Sequence, residues 1–251
     1  MMNCSFCKAN LKFKFVSLGP SPLANSYIDV EHINKAELIY PLNVFVCEEC
    51  FLVQTEEVES PENIFTDYDY FSSYSNTWLN HSKDYVENIS ILFGLDQSSQ
   101  VVEVASNDGY LLQYFLEKGI PVIGVEPAKN VAEVAKNKGI PTEVLFFGEK
   151  TAKLLLNKGK GADLLIGNNV LAHVPDINDF VKGLKILLNP DGVITLEFPH
   201  LKHLVDKTLF DTIYHEHFSY FSFLTVERIF NAHNLTIFDV EEFPIHGGSL
   251  R

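Results

Sequence analysis

No stretch of this 251-residue chain has the run of about 20 apolar residues that crosses a bilayer. The first residues, MMNCSFCKANLKFKF, lack the apolar core of a signal peptide, so we expect a cytoplasmic protein. Basic residues are scarce as well: 19 Lys and Arg stand against 33 Asp and Glu, a formal net charge of -14. Binding to a phosphate backbone needs clustered Lys and Arg, so we expect neither a nucleic-acid partner nor a membrane partner.

Cysteine is also scarce, and none occurs after residue 50. The spacing C-x2-C-x39-C-x2-C is formed by Cys4, Cys7, Cys47 and Cys50. Two such knuckles present four thiolates in a tetrahedron, the geometry of structural zinc, and the strand-like segments LKFKFVSLG and IYPLNVFVCEEC can bring them together. Disulfides are disfavoured in a reducing compartment, and a redox C-x-x-C would open a helix in a thioredoxin-like βαβ unit, which is missing here. We therefore expect structural Zn²⁺ with no open position for catalysis.

From about Gln100 the sequence alternates between strand and helix patterns. A buried apolar strand, a tight turn and a helix fill SQVVEVASNDGYLLQYFLEKG, and PVIGVEPAKNVAEVAKNKG repeats the unit. Such alternation predicts an α/β, Rossmann-like fold with a parallel sheet and helices on both faces. Ligands of this architecture bind at the carboxyl ends of the strands. We expect a zinc-binding domain over residues 1–70 and the α/β domain over residues 71–251.

The first strand-to-helix turn lacks G-x-G-x-x-G, which would hold a pyrophosphate on the helix N-terminus. The turn reads Glu103-Val-Ala-Ser-Asn-Asp-Gly109, with acidic and amide groups and one glycine. It suits a ligand that bears an ammonium group and a sulfonium. Glu126 ends the second strand, where a carboxylate can accept both ribose hydroxyls. The alternative is an ordinary turn in which Asn107 and Asp108 cap the next helix.

Late in the chain, the segment Tyr214-His-Glu-His217 concentrates a phenol, two imidazoles and a carboxylate. Histidine titrates near neutrality and is a natural general base, which a neighbouring carboxylate can orient. Such a cluster can remove a proton from carbon or bind a metal. The structural alternative is a polar strand end with solvated histidines.

Taken together, the motifs EVASNDGYLL, GVEP, NNVLAHVPD, YHEHFSYFS and HGGSLR resemble the sugar C-methyltransferases. Enzymes of that family use S-adenosyl-L-methionine (SAM) to methylate nucleotide-linked 4-keto-deoxysugars, and their four-cysteine N-terminal domain binds zinc. The resemblance covers essentially the whole chain, although EVASNDG alone indicates only a methyltransferase of some kind. It implies the class I SAM-methyltransferase fold, a nucleotide-sugar substrate and S-adenosylhomocysteine (SAH) as the product. We expect a monomer.

The resemblance also implies roles for single residues. His217 is the implied base, with Tyr214, Glu216 and His173 at the sugar. Glu216 would fix the tautomer of His217, while Tyr214 or His173 would donate a hydrogen bond to the enolate oxygen. The implied cofactor-binding residues are Glu103, Ala105, Ser106, Asn107, Asp108, Gly109, Glu126, Pro127, Phe147, Asn168 and Asn169.

The chain departs from the family pattern at two places. Ala105 precedes Ser106 where the family often has glycine. Family members also continue with a C-terminal domain that helps to enclose the nucleotide sugar, whereas this chain stops at Arg251, where LTIFDVEEFPIHGGSLR should begin the last antiparallel strand. We expect a truncated form. An O- or N-methyltransferase of a small metabolite, or a SAM-binding protein without activity, are the open alternatives.

Overall fold

The computed structural model describes residues 2–66 and 68–251. It divides into two compact units. The first combines Met1–Ile64 with Leu171–Asn178 and Glu197–Arg251, and the second comprises Phe65–Val170 and Asp179–Leu196. The predicted boundary between a zinc-binding domain and an α/β domain at residue 70 stays a prediction. Within the described ranges, no helix combines the length and the apolar character that crossing a membrane requires.

The strands, in chain order, are β1 (Phe13–Ser21), β2 (Tyr40–Val46), β3 (Val53–Thr55), β4 (Val101–Val104), β5 (Val122–Val125), β6 (Thr142–Glu143), β7 (Ala162–Asn168), β8 (Leu188–Pro199), β9 (Ser219–Tyr220), β10 (Glu242–Phe243) and β11 (Ser249–Leu250). The helices are α1 (Pro61–Phe65), α2 (Asn76–Leu92), α3 (Leu112–Glu117), α4 (Lys129–Asn137), α5 (Glu149–Asn157), α6 (Ile177–Leu187), α7 (Leu201–Lys207) and α8 (Phe223–Ala232).

The sheet of the first unit joins two distant parts of the chain. Its order is β1-β2-β3-β9, and each neighbouring pair is antiparallel. β1 and β2 confirm the strands predicted around the cysteine knuckles. Gln54 of β3 lies opposite Ser219 of β9, so the four-cysteine segment and the segment that contains His217 belong to one sheet. An apolar core that includes Val44, Val53 and Tyr220 packs on it.

In the second unit the predicted parallel sheet is confirmed. Its strand order is β8-β7-β4-β5-β6, with β4 parallel to β5 and β7, and β5 parallel to β6. The central strands are almost wholly buried, as expected for a parallel sheet covered on both faces. These strand ends carry the residues predicted to bind the cofactor.

The segment after Leu235 differs from the single strand expected there. It supplies two short strands, β10 and β11, which pair antiparallel with each other. β11 also pairs antiparallel with Phe198 and Pro199 at the end of β8. The sheet that contains β8 is therefore mixed, and the antiparallel strand expected at this end of the sequence is present as β11.

Candidate functional site

The four cysteines converge in the first unit. The Sγ atoms of Cys4 and Cys50 are 3.5 Å apart, and those of Cys7 and Cys47 are also 3.5 Å apart. All four sulfurs lie within 4.8 Å of one another. Zn–S bonds of about 2.3 Å in a tetrahedron place the sulfurs about 3.8 Å apart, so both the donor set and the spacing fit zinc. The predicted four-cysteine site is confirmed.

The two knuckles share one backbone turn. In each, the carbonyl of the first cysteine accepts a hydrogen bond from the residue after the second cysteine: Lys8 donates to Cys4 and Phe51 to Cys47, both at 3.0 Å. Both donors have left-handed backbones, with φ of 63° and 65°. The hydrogen bond from Cys50 lowers the pKa of Cys4 to about 4, which favours a thiolate ligand.

His217 is held at both ring nitrogens. Its Nδ1 lies 2.8 Å from the carbonyl oxygen of Thr212, and its Nε2 lies 2.8 Å from the hydroxyl of Tyr214. A carbonyl only accepts, so Nδ1 carries the proton and Nε2 accepts from Tyr214. Burial lowers the pKa of His217 to about 4, so the ring is neutral near pH 7 and Nε2 keeps its lone pair.

The structure corrects the role expected of Glu216. The Thr212 carbonyl, not this carboxylate, fixes the tautomer of His217. Glu216 instead accepts a 2.7 Å hydrogen bond from the side-chain amide of Asn25. The main chain of Glu216 hydrogen-bonds the ring of His173, whose centroid lies 4.7 Å from that of His217. Burial, followed by repulsion from His217, lowers the pKa of His173 well below its usual range.

For the segment Tyr214-His-Glu-His217, the sequence also allowed a metal site or a polar strand end with solvated histidines. Both fit the structure less well than a base. His215 is 2% exposed, and its Nε2 faces the carbonyl oxygen of Pro41 at 3.2 Å. Glu216 is 1% exposed and His217 is 8% exposed, so this is not a solvated strand end. Among the described residues, the groups arranged to hold a metal are the four cysteines and the trio His200, His203 and Glu242, and neither contains a residue of this segment.

A cavity opens beside His217 within the first unit. Its polar lining consists of His200, Thr212, His217, Ser219, Tyr220 and His246. His217 therefore lines a small cavity, with room for roughly one water molecule or one oxygen substituent.

In the second unit, Glu126 stands at the end of β5 as predicted. One carboxylate oxygen accepts from the backbone N–H of Asn107 and the other from that of Ala128, each at 2.9 Å. Burial raises the pKa of Glu126 to about 7. Each oxygen retains a lone pair, so the carboxylate can still accept ribose hydroxyls.

The loop after β4 adopts alternating left-handed residues. The φ angles are 54° at Ala105, 49° at Asn107 and 76° at Gly109. Gly109 has a left-handed φ, and a Cβ atom there would also lie 2.2 Å from Cδ1 of Ile140, so the position strongly favours glycine. Ala105 holds a conformation that glycine adopts without strain, which explains why glycine is common there in the family that the sequence resembles.

Several predicted cofactor side chains are engaged by the protein. Asn107 accepts from the N–H of Ser72 at 2.8 Å and donates to the carbonyl of Tyr70 at 3.0 Å, so it fastens the segment before α2 rather than capping the next helix. Lys138 donates to the carbonyl of Asp108 at 2.8 Å and forms an ion pair with its carboxylate at 3.3 Å. The main chain of the loop is therefore the part best placed to meet a ligand.

Two more predicted residues lie inside the second unit. Burial raises the pKa of Glu103 well above its usual range, against a hydrogen bond from Tyr110, so the neutral acid is favoured. Ser106 is fully buried, and a Cβ atom on Gly124 would come within 2.3 Å of its Oγ. Both side chains are buried in the second unit rather than exposed to a ligand at its surface.

The remaining predicted cofactor-binding residues lie after β5, β6 and β7, and they have different surroundings. Phe147 packs edge to face on Phe180, with ring centroids 5.5 Å apart, and Pro127 is half-buried behind Glu126. Asn169 has a left-handed backbone with φ of 52°. Asn168 is buried, and its Oδ1 meets no hydrogen-bond donor in the described part of the chain. A buried acceptor of this kind fits an ammonium group.

Two family models match the chain. The family described as "Putative zinc binding domain" matches residues 4–65, and the family described as "Methyltransferase domain" matches residues 78–240. The C-methyltransferase NovU of Streptomyces niveus is 35% identical over 247 residues, which cover 98% of this chain and 59% of NovU. The chain thus spans about three fifths of the length of that relative.

More distant proteins share the α/β part. A ubiquinone biosynthesis O-methyltransferase of Bartonella tribocorum is 26% identical over 96 residues, 38% of this chain and 39% of its own. The solved magnesium protoporphyrin IX methyltransferase (ChlM) of Synechocystis PCC 6803, with bound SAH, aligns with a TM-score of 0.51 at 18% identity. That alignment covers 69% of this chain and 82% of ChlM. The predicted class I SAM-methyltransferase fold is confirmed.

Proposed function

The chain belongs to the methyltransferase-domain family, with the family's zinc-binding domain at its N-terminus, and we propose that it methylates carbon in a nucleotide-linked 4-keto-deoxysugar. The similarity to a C-methyltransferase supports transfer to carbon. The observation that carries the proposal is the neutral His217 beside a cavity, with an unprotonated Nε2 that accepts a hydrogen bond from the phenol of Tyr214.

Carbon becomes a nucleophile only when a proton beside a carbonyl is removed. Nε2 of His217 takes that proton, and the electron pair of the broken C–H bond moves into the enolate. The Thr212 carbonyl, bonded to Nδ1, stabilises the imidazolium that forms. The hydroxyl of Tyr214 must turn away from Nε2 before the proton is taken, because both would use the same lone pair, and it can then donate to the enolate oxygen. A 4-keto sugar supplies the acidic C–H bonds that this chemistry needs.

We assign SAM to the strand ends of the second unit. Bound SAM supplies the electrophilic methyl group, and SAH leaves. Glu126 would accept the ribose hydroxyls, and the buried Oδ1 of Asn168 would accept from the ammonium group. The backbone of the loop from Ala105 to Gly109 would follow the amino-acid portion. The four cysteines would hold zinc in a structural role.

An O- or N-methyltransferase is the second candidate, because the chain shares 96 aligned residues with an O-methyltransferase. Such an enzyme needs a base for a hydroxyl or amine but no donor for an enolate oxygen. A SAM-binding protein without turnover is the third. The cytoplasmic location and the monomeric state stay predictions.

Incubation of the protein with ¹³C-methyl SAM and a panel of nucleotide-linked 4-keto-deoxysugars separates these candidates. We expect a mass gain of one methyl group and a carbon-bound methyl signal by NMR for at least one sugar. An oxygen-bound methyl signal would favour the second candidate. SAM binding without turnover of any sugar would favour the third.

A further inference from the structure

Three residues that line the His217 cavity carry a buried polar atom with no hydrogen-bond partner among the residues that the structure describes. These atoms are the hydroxyl of Tyr220, Oγ of Ser219 and Nδ1 of His200, and the last two belong to small or neutral side chains at a fixed backbone. Ser219 is 1% exposed, so water reaches its side chain hardly at all. More than nine in ten buried polar groups in proteins are hydrogen-bonded, and an exception calls for an explanation.

The backbone at both residues is fixed. Ser219 is in β9, opposite Gln54 of β3. The N–H of His200 donates to the carbonyl of Gly248 at 2.9 Å, and the next N–H, of Leu201, donates to Phe221 at 2.8 Å. These pairings hold the backbone at both positions in place. Rigid backbone around unpartnered polar atoms is what a ligand-binding subsite requires.

The cavity lining is part polar and part apolar, and Leu201, Leu204 and Leu209 supply apolar side chains. No Lys or Arg is among the described residues that line the cavity, so the lining offers a phosphate no permanent positive charge. Burial lowers the pKa of His200, which favours its neutral form. An uncharged oxygen substituent of a sugar ring matches such a mixed lining.

We propose that Ser219 and His200 bind one neutral oxygen of the substrate, a hydroxyl or carbonyl of the sugar ring, and so orient the C–H bond that His217 breaks. This inference rests on the proposed function and names two positioning residues of the same site. Ser219 donates to the oxygen, and the neutral imidazole of His200 either donates or accepts. Specificity follows, because a sugar without that oxygen leaves both groups unpaired.

A divalent cation is the competing occupant of His200. His203 and Glu242, which contact each other, lie with His200 in a group whose ligand atoms are within 4.8 Å of one another. The orphan Oγ of Ser219 has no place in such a metal site, so we favour the oxygen subsite. Metal binding is one outcome of the test.

The first arm of the test measures stability. Replacing a hydroxyl that has no partner removes no hydrogen bond, so Ser219→Ala should leave the melting temperature unchanged or raise it. Ser249→Ala is the matched control, because Ser249 is also a buried strand serine but its hydroxyl donates to the Ile245 carbonyl at 3.0 Å. That variant should melt lower. A clear loss of stability in Ser219→Ala would mean a structural partner and would overturn the subsite.

The second arm measures the ligand at His200 directly. Zinc-replete protein with ¹⁵N-labelled histidine is titrated with the nucleotide-linked 4-keto-deoxysugar, and the His200 signal is assigned from His200→Asn. We expect the sugar to shift that signal, and Ser219→Ala to weaken the response. In turnover, kcat/KM should fall about tenfold in Ser219→Ala and in His200→Leu, the effect of one lost hydrogen bond. His200→Asn, which keeps an amide near the position of Nδ1, should retain more of it.

The outcomes separate the subsite from the proposed function. Methylation with a silent His200 signal and unchanged kcat/KM in Ser219→Ala overturns the subsite alone. A sugar that binds and shifts His200 without being methylated supports the subsite and contradicts the proposed function. Added Zn²⁺ or Co²⁺ that shifts His200 and His203 together, with no response to the sugar, would assign a metal and overturn the proposal. If no sugar shifts His200, the proposal is likewise wrong.

Discussion

The hydroxyl of Thr55 donates a 3.0 Å hydrogen bond to the backbone carbonyl of His217. The N–H of Thr55 also donates to the next carbonyl, that of Phe218, at 3.1 Å. One residue earlier on β3, the amide of Gln54 donates to Sγ of Cys4 at 3.3 Å. The strand that follows the second cysteine knuckle thus contacts both a predicted zinc ligand and the backbone of the predicted base.

This relationship predicts that Thr55 positions His217. Thr55→Val keeps the shape of the side chain but leaves the buried carbonyl without its donor, at a cost of about 1–3 kcal/mol in the free energy of unfolding. We expect methyl transfer to slow while SAM affinity, measured by calorimetry, stays the same. Thr55→Ser restores the hydroxyl and should recover most of the rate. Equal rates in the Val and Ser variants would show that the contact does not matter.

The second prediction concerns the metal. Purified protein should contain one zinc per chain, and Cys47→Ser should lose it. Structural zinc contributes ~10 kcal/mol or more of apparent binding energy, so the first unit of the variant should melt at a much lower temperature. SAM binding should survive, since its predicted residues are in the second unit. Zinc-free wild-type protein with an unchanged melting curve under reducing conditions would contradict the assignment.

The third prediction is a pH dependence that arises from Glu126. Burial raises its pKa from 4.5 to about 7, so the folded protein without cofactor holds a proton that the unfolded chain has lost in that window. The contribution of Glu126 to the free energy of unfolding therefore declines as pH rises from about 4.5 through 7. Ribose hydroxyls need the carboxylate as acceptor, so SAM affinity should increase from pH 6 to pH 8.

Calorimetry in two buffers of different ionisation enthalpy measures the proton that Glu126 releases on binding. Glu126→Gln should abolish the pH dependence and lower SAM affinity by roughly 2–4 kcal/mol, since two hydroxyls lose a charged acceptor. A variant that binds SAM as tightly as the wild type would remove Glu126 from the cofactor site.

The fourth prediction tests the strained loop. Ala105 has φ of 54°, where an L-residue with a Cβ atom is disfavoured by roughly 1 kcal/mol, so Ala105→Gly should stabilise the protein by about 0.5–1 kcal/mol. Ala132→Gly, in the interior of α4, should destabilise the protein by at least a similar amount, because it also removes a buried methyl group. Denaturant melts of both variants give the sign. Destabilisation by both would mean that Ala105 is not strained.

Side-chain chemistry was readable from the sequence, whereas main-chain partners were not. The four-cysteine site, the strand that carries Glu103 and the strand that ends before Glu126 follow from residue types and short spacings. The carbonyl that orients His217 belongs to the backbone of Thr212. Every residue has such a carbonyl, so the sequence does not indicate which one is used. Glu216 turns to Asn25, 191 positions away, and such a contact depends on β3 meeting β9. Long-range pairing of short strands has no local pattern to reveal it.

The sequence also showed no sign of the polar groups without hydrogen-bond partners beside His217. Ser219 and His200 look like ordinary polar residues until the cavity shows that nothing in the described chain satisfies Oγ and Nδ1. Asn107 shows the reverse case, because its sequence position suggested a ligand or a helix cap while its amide fastens Tyr70 and Ser72. Whether a polar side chain is buried, and whether it finds a hydrogen-bond partner, depends on how the whole molecule packs.

The most direct test of proton removal by His217 is deuterium exchange in D₂O, with SAH in place of SAM and a nucleotide-linked 4-keto-deoxysugar present. The wild type should exchange a C–H beside the ketone, and Tyr214→Phe should do so ~10–1000-fold more slowly, the range for one lost donor to an oxyanion. His217→Asn keeps roughly the shape but cannot accept the proton, so it should show no exchange while still binding SAM. Exchange or methylation at the wild-type rate by His217→Asn would contradict the account and point to another base.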